Sequence, residues 1–447
     1  MSIAAISTPH GLGAIAIVRL SGSDAFDIAS HHLSLPQPQG SRPATSFARF
    51  MVNDELLDEV VVTTYRAPHS YTGDDTVEIA CHGSLYVQQA LLQALLDSGA
   101  RLAEPGEFTR QAFLNGKLDL SQTEAVADLI DSTNAASHRL AISQLRGGYA
   151  KELEQLRQQL VDLTALLELE LDFSEEDLQF ADRSHLQSLV GQISHCVNEL
   201  RQSFHMGNAI KRGIPVAIIG RPNAGKSSLL NALLHDSRAI VSDIPGTTRD
   251  TIEETFVIEG IPFRIIDTAG LRESDDPLEA MGIERTINTA AQADFIIYVH
   301  DATQDYIHAQ DDLQELQFTI DLNVKHLYVV HNKTDLLKGP ISDYVMFPIS
   351  AKEGIGIDSL TRQIAKDART DMTNAPDVMV TNIRHYEALG QLDKALLQVA
   401  NGLASGLSSD LVAIDLRDAL HHLGTITGQV TSDEVLGSIF SRFCVGK

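Results

Sequence analysis

The chain is short of cysteine, short of positive charge and without a long apolar run, and each shortage narrows what it can be. Three cysteines in 447 residues, Cys81, Cys196 and Cys444, are too few and too scattered for a disulfide framework or a zinc cluster. A reducing cytoplasm suits them. No apolar stretch approaches the roughly 18 residues that a membrane span requires, and Met1-Ser2-Ile3-Ala4-Ala5-Ile6 lacks the basic segment that opens a secretory signal. The expected location is therefore cytoplasmic, with no membrane partner. Lys and Arg number 34 against 60 Asp and Glu, a formal net charge of −26. A protein that grips nucleic acid unaided carries a basic footprint, whereas the average field of this chain repels phosphate. Any RNA it serves is expected to be held mostly by a basic partner, local patches such as Lys211-Arg212 aside. What remains is ordinary: hydrophobic content is 43%, and the length allows two to four domains, each with its own core.

The most informative stretch is Gly220-Arg221-Pro222-Asn223-Ala224-Gly225-Lys226-Ser227, which satisfies the spacing G-x-x-x-x-G-K-[ST]. A glycine turn in some α/β domain would match the spacing alone. Here Pro215-Val216-Ala217-Ile218-Ile219 reads as a buried strand before it, and Ser228-Leu229-Leu230-Asn231-Ala232-Leu233-Leu234 as a helix after it. That is the context of a phosphate loop. Glycines let backbone N–H groups close round phosphate oxygens, and the helix N-terminus adds partial positive charge. Lys226 can then reach the β- and γ-phosphates, and the Ser227 hydroxyl can ligate Mg²⁺.

Residues 1 to about 118 read as mixed α/β. Strands are expected at 14–20, 60–65 and 76–81, β-branched and bounded by Pro, Gly and Asp, with an amphipathic helix from Leu85 to Leu96. From about Ser121 the texture becomes long helix. Leu153, Leu156, Leu160, Leu163 and Leu167 repeat at three- and four-residue steps, as do Leu186, Leu189, Ile193, Val197 and Leu200. Such stripes are bundle core before they are a dimer seam. The acidic run 168–177 between them is open to two readings, a metal cluster or, more plainly, a solvated helix end or partner-facing loop. Apolar runs at 216–219, 263–266, 295–299, 327–330 and 345–349 alternate with helical stretches, which predicts a doubly wound, mostly parallel sheet. After the linker Met372–Asp377 the chain returns to helix, with Leu389, Leu392, Leu396 and Leu397 expected on one face. A tail this short packs best against 121–208. The expected architecture is therefore multidomain: an N-terminal α+β domain (1–118), a discontinuous helical domain (119–210 and 373–447), and an inserted Ras-like P-loop GTPase domain (211–372).

Four further pieces follow the phosphate loop in the order a Ras-like GTPase demands. Gly246-Thr247-Thr248-Arg249-Asp250 offers Thr248 as a switch threonine for Mg²⁺. Asp267-Thr268-Ala269-Gly270 ends a strand, where Asp267 can hold Mg²⁺ through water and the Gly270 N–H can sense the γ-phosphate. In Asn332-Lys333-Thr334-Asp335 the aspartate can take both the N1–H and the N2–H of guanine, donors that adenine lacks, and Ser350-Ala351-Lys352 supports the base. One such tetrapeptide would be weak; five pieces in register make GTP the expected nucleotide. The contact set is Asn223, Ala224, Gly225, Lys226, Ser227 and Ser228, then Ser242, Asp243, Ile244, Pro245, Gly246, Thr247 and Thr248, with the three later motifs. Phosphoryl transfer needs charge neutralisation and a positioned water. Ras places a water-orienting glutamine directly after the glycine that Gly270 matches; here the residue is Leu271, which cannot orient water. Arg249, Arg272 and Glu279 are the polar candidates nearby, with ordinary switch salt bridges the plainer reading of the two arginines.

The phosphate loop with Asn223, the switch Ile244-Pro245-Gly246-Thr247-Thr248-Arg249-Asp250 and the stretch Asp267-Thr268-Ala269-Gly270-Leu271-Arg272-Glu273 resemble the MnmE (TrmE) family of tRNA-modification GTPases. GTPases of the Era and Der kind, which assemble ribosomes, share much of this and are the alternative reading. The flanks separate the two. Pro105-Gly106-Glu107-Phe108-Thr109-Arg110-Gln111-Ala112-Phe113-Leu114-Asn115-Gly116-Lys117-Leu118-Asp119-Leu120 is similar to the family's N-terminal signature, and Ile439-Phe440-Ser441-Arg442-Phe443-Cys444-Val445-Gly446-Lys447 to its C-terminal one.

The resemblance implies a homodimer formed through the N-terminal domain, which binds 5,10-methylenetetrahydrofolate, or 5-formyltetrahydrofolate as an analogue. Arg19, Glu78, Lys117 and Lys447 match the folate contacts by position. A carboxylate suits the amidine-like edge of the pterin, and a cation suits the glutamate tail. It implies K⁺ ligated by Asn223, Ser242, Ile244 and Thr247, and Glu279 orienting water in place of glutamine, with Lys226 the other catalytic group. Pro245 departs from the small residue often found there and stiffens the loop. Cys444 matches a family cysteine that is either a buried thiol or a nucleophile. Finally, the resemblance implies a flavin (FAD) partner, MnmG, with which the family adds an aminomethyl-type group to C5 of the tRNA wobble uridine.

Overall fold

The computed structural model describes residues 1–36, 42–172, 183–236, 254–266, 287–305, 307–319, 326–337, 347–373, 378–441, 443 and 445–446. They fall into two units, one of Met1–Asp131, Ala141–Val197 and Glu387–Lys447, the other of Ser132–Leu140 and Asn198–Tyr386.

The first unit opens with a six-stranded sheet of β1 (Ile3–Ile6), β2 (Ile15–Ser21), β3 (Ala44–Val52), β4 (Glu55–Tyr65), β5 (Thr76–His82) and β6 (Arg101–Leu102), in the order β3-β4-β5-β2-β1-β6. Successive strand side chains face opposite ways. Ala16, Val18 and Leu20 of β2 and Val77, Ile79 and Cys81 of β5 therefore share a buried face, packed with residues of α1 (Ala25–Ser30) and α2 (Leu85–Asp97). Arg19 and Glu78, which are directly opposed in the antiparallel register, are left on the other face. The helix α3 (Glu107–Leu114) starts after Gly106, whose φ of 68° is left-handed.

Long helices follow: α4 (Leu120–Asp131), α5 (Ala135–Leu145), α6 (Gly148–Asp172) and α7 (Arg183–Arg212). Asp119 starts α4 by accepting from the Ser121 hydroxyl and the Gln122 N–H, while the Gln122 side chain accepts from the Asp119 N–H. That reciprocal cap satisfies donors the helix leaves open. The leucine stripe of α6 is buried as its spacing predicts, with Leu153, Leu160, Leu163 and Leu167 fully enclosed. Each such side chain contributes roughly 1.5–3 kcal/mol.

The second unit is built on a sheet of β7 (Ile214–Ile219), β8 (Thr255–Ile258), β9 (Ile261–Ile265), β10 (Phe295–Asp301), β11 (His326–Asn332) and β12 (Phe347–Pro348), in the order β12-β11-β10-β7-β9-β8. Every pair is parallel except β8/β9. Helices lie on both faces. Val216, Ile218, Ile297, Val299 and Val330 pack with residues of α8 (Lys226–Asp236) and α10 (Ile357–Thr373); Ala217, Ile219, Ile296 and Tyr298 pack with α9 (Ile307–Thr319). This is the doubly wound P-loop architecture that the alternating apolar runs predict. Such sheets bind ligands beyond the carboxyl ends of their strands.

The chain then returns to the first unit through α11 (Ile383–Ser405), α12 (Ser409–Thr427) and α13 (Asp433–Phe440), and α12 packs along α6 and α4. One expectation fails here. Leu389, Leu392 and Leu396 are buried with Val399 and Leu403, but Leu397 is 58% exposed. The buried face is set by Leu392, Ala395, Leu396 and Val399; the step of about 100° from Leu396 to Leu397 turns away from the side on which Ala395 lies and so leaves that face. After α13 the chain comes back to the N-terminal sheet. Phe440 and Phe443 pack over Gly106, where a Cβ would lie 2.9 Å from the Phe440 carbonyl oxygen. Val445 bridges Pro105, and the Ser7 hydroxyl donates to the Gly446 carbonyl at 3.0 Å. Gly446 has φ 100°, and a Cβ there would meet the Ile6 carbonyl oxygen at 2.3 Å, so glycine is required twice over.

Candidate nucleotide-binding site

The phosphate-type loop occupies the turn between β7 and α8, and its glycines answer specific neighbours. A Cβ on Gly220 (φ 141°) would lie 2.2 Å from the Val299 carbonyl oxygen of β10, and one on Gly225 (φ 93°) would lie 2.1 Å from Nδ2 of Asn332. Asn223 also adopts a left-handed φ of 62°. Lys226 folds back, its Nζ donating to the carbonyls of Gly220 at 2.8 Å and Arg221 at 3.0 Å. Burial lowers its pKa; an anion in the loop would favour the charged form. Ser227 and Ser228 are exposed in the first turn of α8.

Asn332 joins three of the motifs. It is 2% exposed; its Nδ2 donates to the Ala224 carbonyl at 2.9 Å, and its Oδ1 accepts from the Ala351 N–H at 3.0 Å. One amide thus sets the spacing between the phosphate loop, the guanine motif and the Ser350-Ala351-Lys352 turn. The Thr334 N–H and hydroxyl both donate to the Ile349 carbonyl, fixing the short 3₁₀ turn Thr334–Leu336 in which Asp335 is exposed.

Two contacts here escape sequence reasoning. Arg221 grips Asp312 of α9 through two nitrogens, Nε to Oδ2 at 2.9 Å and Nη2 to Oδ1 at 2.7 Å, and the Tyr298 hydroxyl donates to the same carboxylate at 2.6 Å. The bond to Asp312 raises the Arg221 pKa further. The second is Asp301, at the end of β10, which accepts from Lys333 Nζ at 2.6 Å. Neither partnership has a local signal, because the partners are 91 and 32 residues apart.

Ser242, Asp243, Ile244, Pro245, Gly246, Thr247, Thr248, Arg249, Asp267, Thr268, Ala269, Gly270, Leu271, Arg272 and Glu279 lie outside the described residues, as do Cys444, Lys447 and residues 173–177 of the acidic run. Among the described residues no group of His, Cys, Asp and Glu could hold a metal ion, and no helix is long and apolar enough to cross a membrane.

On the N-terminal sheet, Arg19 and Glu78 form an ion pair, Nε to Oε1 at 2.9 Å and Nη2 to Oε1 at 2.8 Å, with side chains 20% and 24% exposed. The guanidinium lies 5.6 Å from the ring centre of Tyr71 and 5.5 Å from that of Phe108. Burial, then the Glu78 charge, raises the Tyr65 phenol, whose hydroxyl is 3.4 Å from Glu78. Lys117 donates to the Pro68 carbonyl at 2.9 Å, on the loop that also carries Tyr71. Gly446, the neighbour of Lys447, is brought to Ile6 and Ser7 beside this region.

A doubly wound sheet with a phosphate loop on its first strand and a guanine-type motif on the fifth in sequence order defines a Ras-like P-loop GTPase domain. The rest of the chain narrows this. The TrmE N-terminus model, described as a GTP-binding protein, matches residues 2–117, and the MnmE helical domain model matches residues 120–444. The chain is 49% identical over 462 residues to "tRNA modification GTPase MnmE" of Parabacteroides distasonis, covering 100% of both chains. It is 46% identical over 461 residues to the protein of the same name from Flavobacterium johnsoniae, covering 100% of this chain and 99% of that one. It belongs to the MnmE (TrmE) family.

Proposed function

We propose that this chain is a K⁺-activated GTP hydrolase that works with a flavin-dependent partner, MnmG. Together they would install an aminomethyl-type group at C5 of the tRNA wobble uridine, using a tetrahydrofolate one-carbon unit. The observation that carries this reading is end-to-end similarity to proteins named tRNA modification GTPase MnmE.

In this reading the described loop 220–228 holds the phosphates through its N–H groups and Lys226, and Asp335 reads guanine, while Asn332 keeps the two at a fixed separation. Bound Mg²⁺ and K⁺ would neutralise charge developing on the transferred phosphoryl group. Ser227 and Thr248 would hold the first; Asn223, Ser242, Ile244 and Thr247 would hold the second. The exposed, left-handed Asn223 fits a side-chain ligand at the loop rim. Glu279 orients the attacking water, a task Leu271 cannot perform. On the other unit, Glu78 faces the pterin edge, while Arg19, Lys117 and Lys447 serve its anionic tail. Because Glu78 is already paired with Arg19, the ligand has to share that carboxylate. The protein acts as a cytoplasmic homodimer, with the four segments bounded at 118, 210 and 372, and leaves most of the tRNA contact to its partner.

Steady-state GTP hydrolysis in KCl and in NaCl at equal ionic strength tests the central step. Strong K⁺ activation, lost in Asn223→Ala, with chemistry nearly abolished in Glu279→Ala, is the expected result. Equal rates in the two salts would remove the K⁺ assignment and bring forward an Era/Der-like assembly GTPase.

A further inference from the structure

We propose that Asp301 is a positioning residue of the guanine site: its carboxylate fixes the Lys333 ammonium so that the lysine stem forms an apolar ledge beside the base. This rests on reading Asn332-Lys333-Thr334-Asp335 as the guanine-recognition segment.

Asp301 stands opposite Asn332 in the parallel register of β10 and β11, so it emerges at the same carboxyl end of the sheet as the motif. Its two oxygens are divided between two tasks. Oδ1 accepts from the Thr303 N–H at 3.0 Å and the Thr303 hydroxyl at 2.7 Å, which sets the rotation of the carboxylate. Oδ2 is thereby aimed at Lys333 Nζ, 2.6 Å away. The Asp301 side chain is 7% exposed and that of Lys333 31%. Burial alone would raise the Asp301 carboxyl, but the lysine and the Thr303 donors outweigh it and hold the group below its usual range. The carboxylate is therefore ionised at neutral pH.

Lys333 is anchored at its other end too. Its backbone has φ 65° and ψ 33°, left-handed and disfavoured for a residue with a side chain. Such conformations persist where the surroundings over-determine them. With the Cα and the ammonium both fixed, the four-carbon stem runs along the carboxyl end of the sheet between Asp301 and the turn that carries Asp335. Lysine stems commonly cover apolar surface while the charged head is satisfied elsewhere, and a planar purine offers such a surface. The segment does not need Asp301 for its path, because Asn332 and Thr334 are tied independently to Ala224, Ala351 and Ile349. The ion pair acts on the lysine.

The test is the affinity of the full-length chain for GDP and IDP, whose bases share a ring face but differ in the N2 amino group. Wild-type binding of GDP is the control; its failure would sink the guanine reading itself, not this inference. Asp301→Asn is expected to weaken both diphosphates by about tenfold, the scale of one lost charge-assisted bond. The GDP/IDP ratio, set by Asp335, should not change. In a Lys333→Met background the same substitution should change affinity less than about twofold, because the coupling partner is gone. An undiminished effect in that background, a collapsed GDP/IDP ratio, or unaltered affinity in Asp301→Asn would each overturn the proposal. Should Asp301→Asn fail to fold, Thr303→Val keeps both charges and removes the hydroxyl, one of the two donors that set the rotation of the carboxylate. A weakening of about threefold is then expected, and wild-type affinity would refute the idea.

Discussion

Acidification should loosen the GTPase unit in part through His331. It lies on β11 against His300 of β10, ring centres 5.2 Å apart at 79°, and the two residues are 7% and 6% exposed. Burial, with the His300 charge as a second cause, pushes the His331 pKa from 6.5 down to about 4. His300 is also lowered by burial, although Asp301 and Asp312 oppose the shift. A base with a depressed native pKa binds fewer protons folded than unfolded. Its contribution is therefore complete above pH 6.5 and is lost as the pH falls toward 4. At 1.36 kcal/mol per pH unit the difference is bounded at about 3 kcal/mol, of which about 2 kcal/mol is gone at pH 5. For a unit of this size that corresponds to roughly 4–8 °C in Tm. Urea unfolding of the nucleotide-free protein, followed by circular dichroism at pH 7.5 and pH 5, would measure it. Carboxylates weaken the wild type and His331→Gln alike, so the difference between them isolates the histidine. His331→Gln should lose about 2 kcal/mol less on acidification. Equal losses in the two proteins would refute the reasoning.

Three further outcomes follow from the packing. Gly225→Ala places a methyl group 2.1 Å from Asn332 Nδ2, and the strain and the broken Asn332–Ala224 bond together should cost about 2–4 kcal/mol of stability; a urea midpoint shift worth less than about 1 kcal/mol would contradict it. Leu160→Ala empties a fully buried position on α6 and should lower stability by about 2–5 kcal/mol; a urea midpoint shift worth less than about 1 kcal/mol would show that the bundle closes over the gap. Phe443→Ala should release residues 445–446 from Pro105 and Ser7, seen as rapid clipping of the tail in limited proteolysis, and a tail as resistant as wild type would argue against Phe443 as its anchor.

The sequence was most readable where a pattern is local. The strand before Gly220, the helix after it, the alternation on β2 and β5 and the leucine stripe of α6 each follow from a period of 2 or 3.6 residues. Asn332 was legible as part of a guanine-type sequence motif, yet its bonds to Ala224 and Ala351 were not, since they depend on which strands adjoin. The Arg221–Asp312–Tyr298 network and the Asp301–Lys333 pair were invisible for the same reason: each joins segments that only the parallel sheet brings together. Leu397 departs from the expected stripe because an apolar face can take in either neighbour of Leu396, and here Ala395, not Leu397, is the one that turns inward. The pairing of Arg19 with Glu78 needed the strand register, which their separate strands do not announce.

The return of Val445 and Gly446 to Pro105 and the end of β1 also orders events during synthesis. The sheet that carries Arg19 and Glu78 leaves the ribosome early, but its edge at Ile6 and Pro105 stays open until the whole GTPase unit has been translated. At about 5–20 residues per second that interval is tens of seconds. A chain interrupted anywhere between would display a finished sheet with an unfinished corner, marking it as incomplete to any protease or chaperone that probes exposed edges.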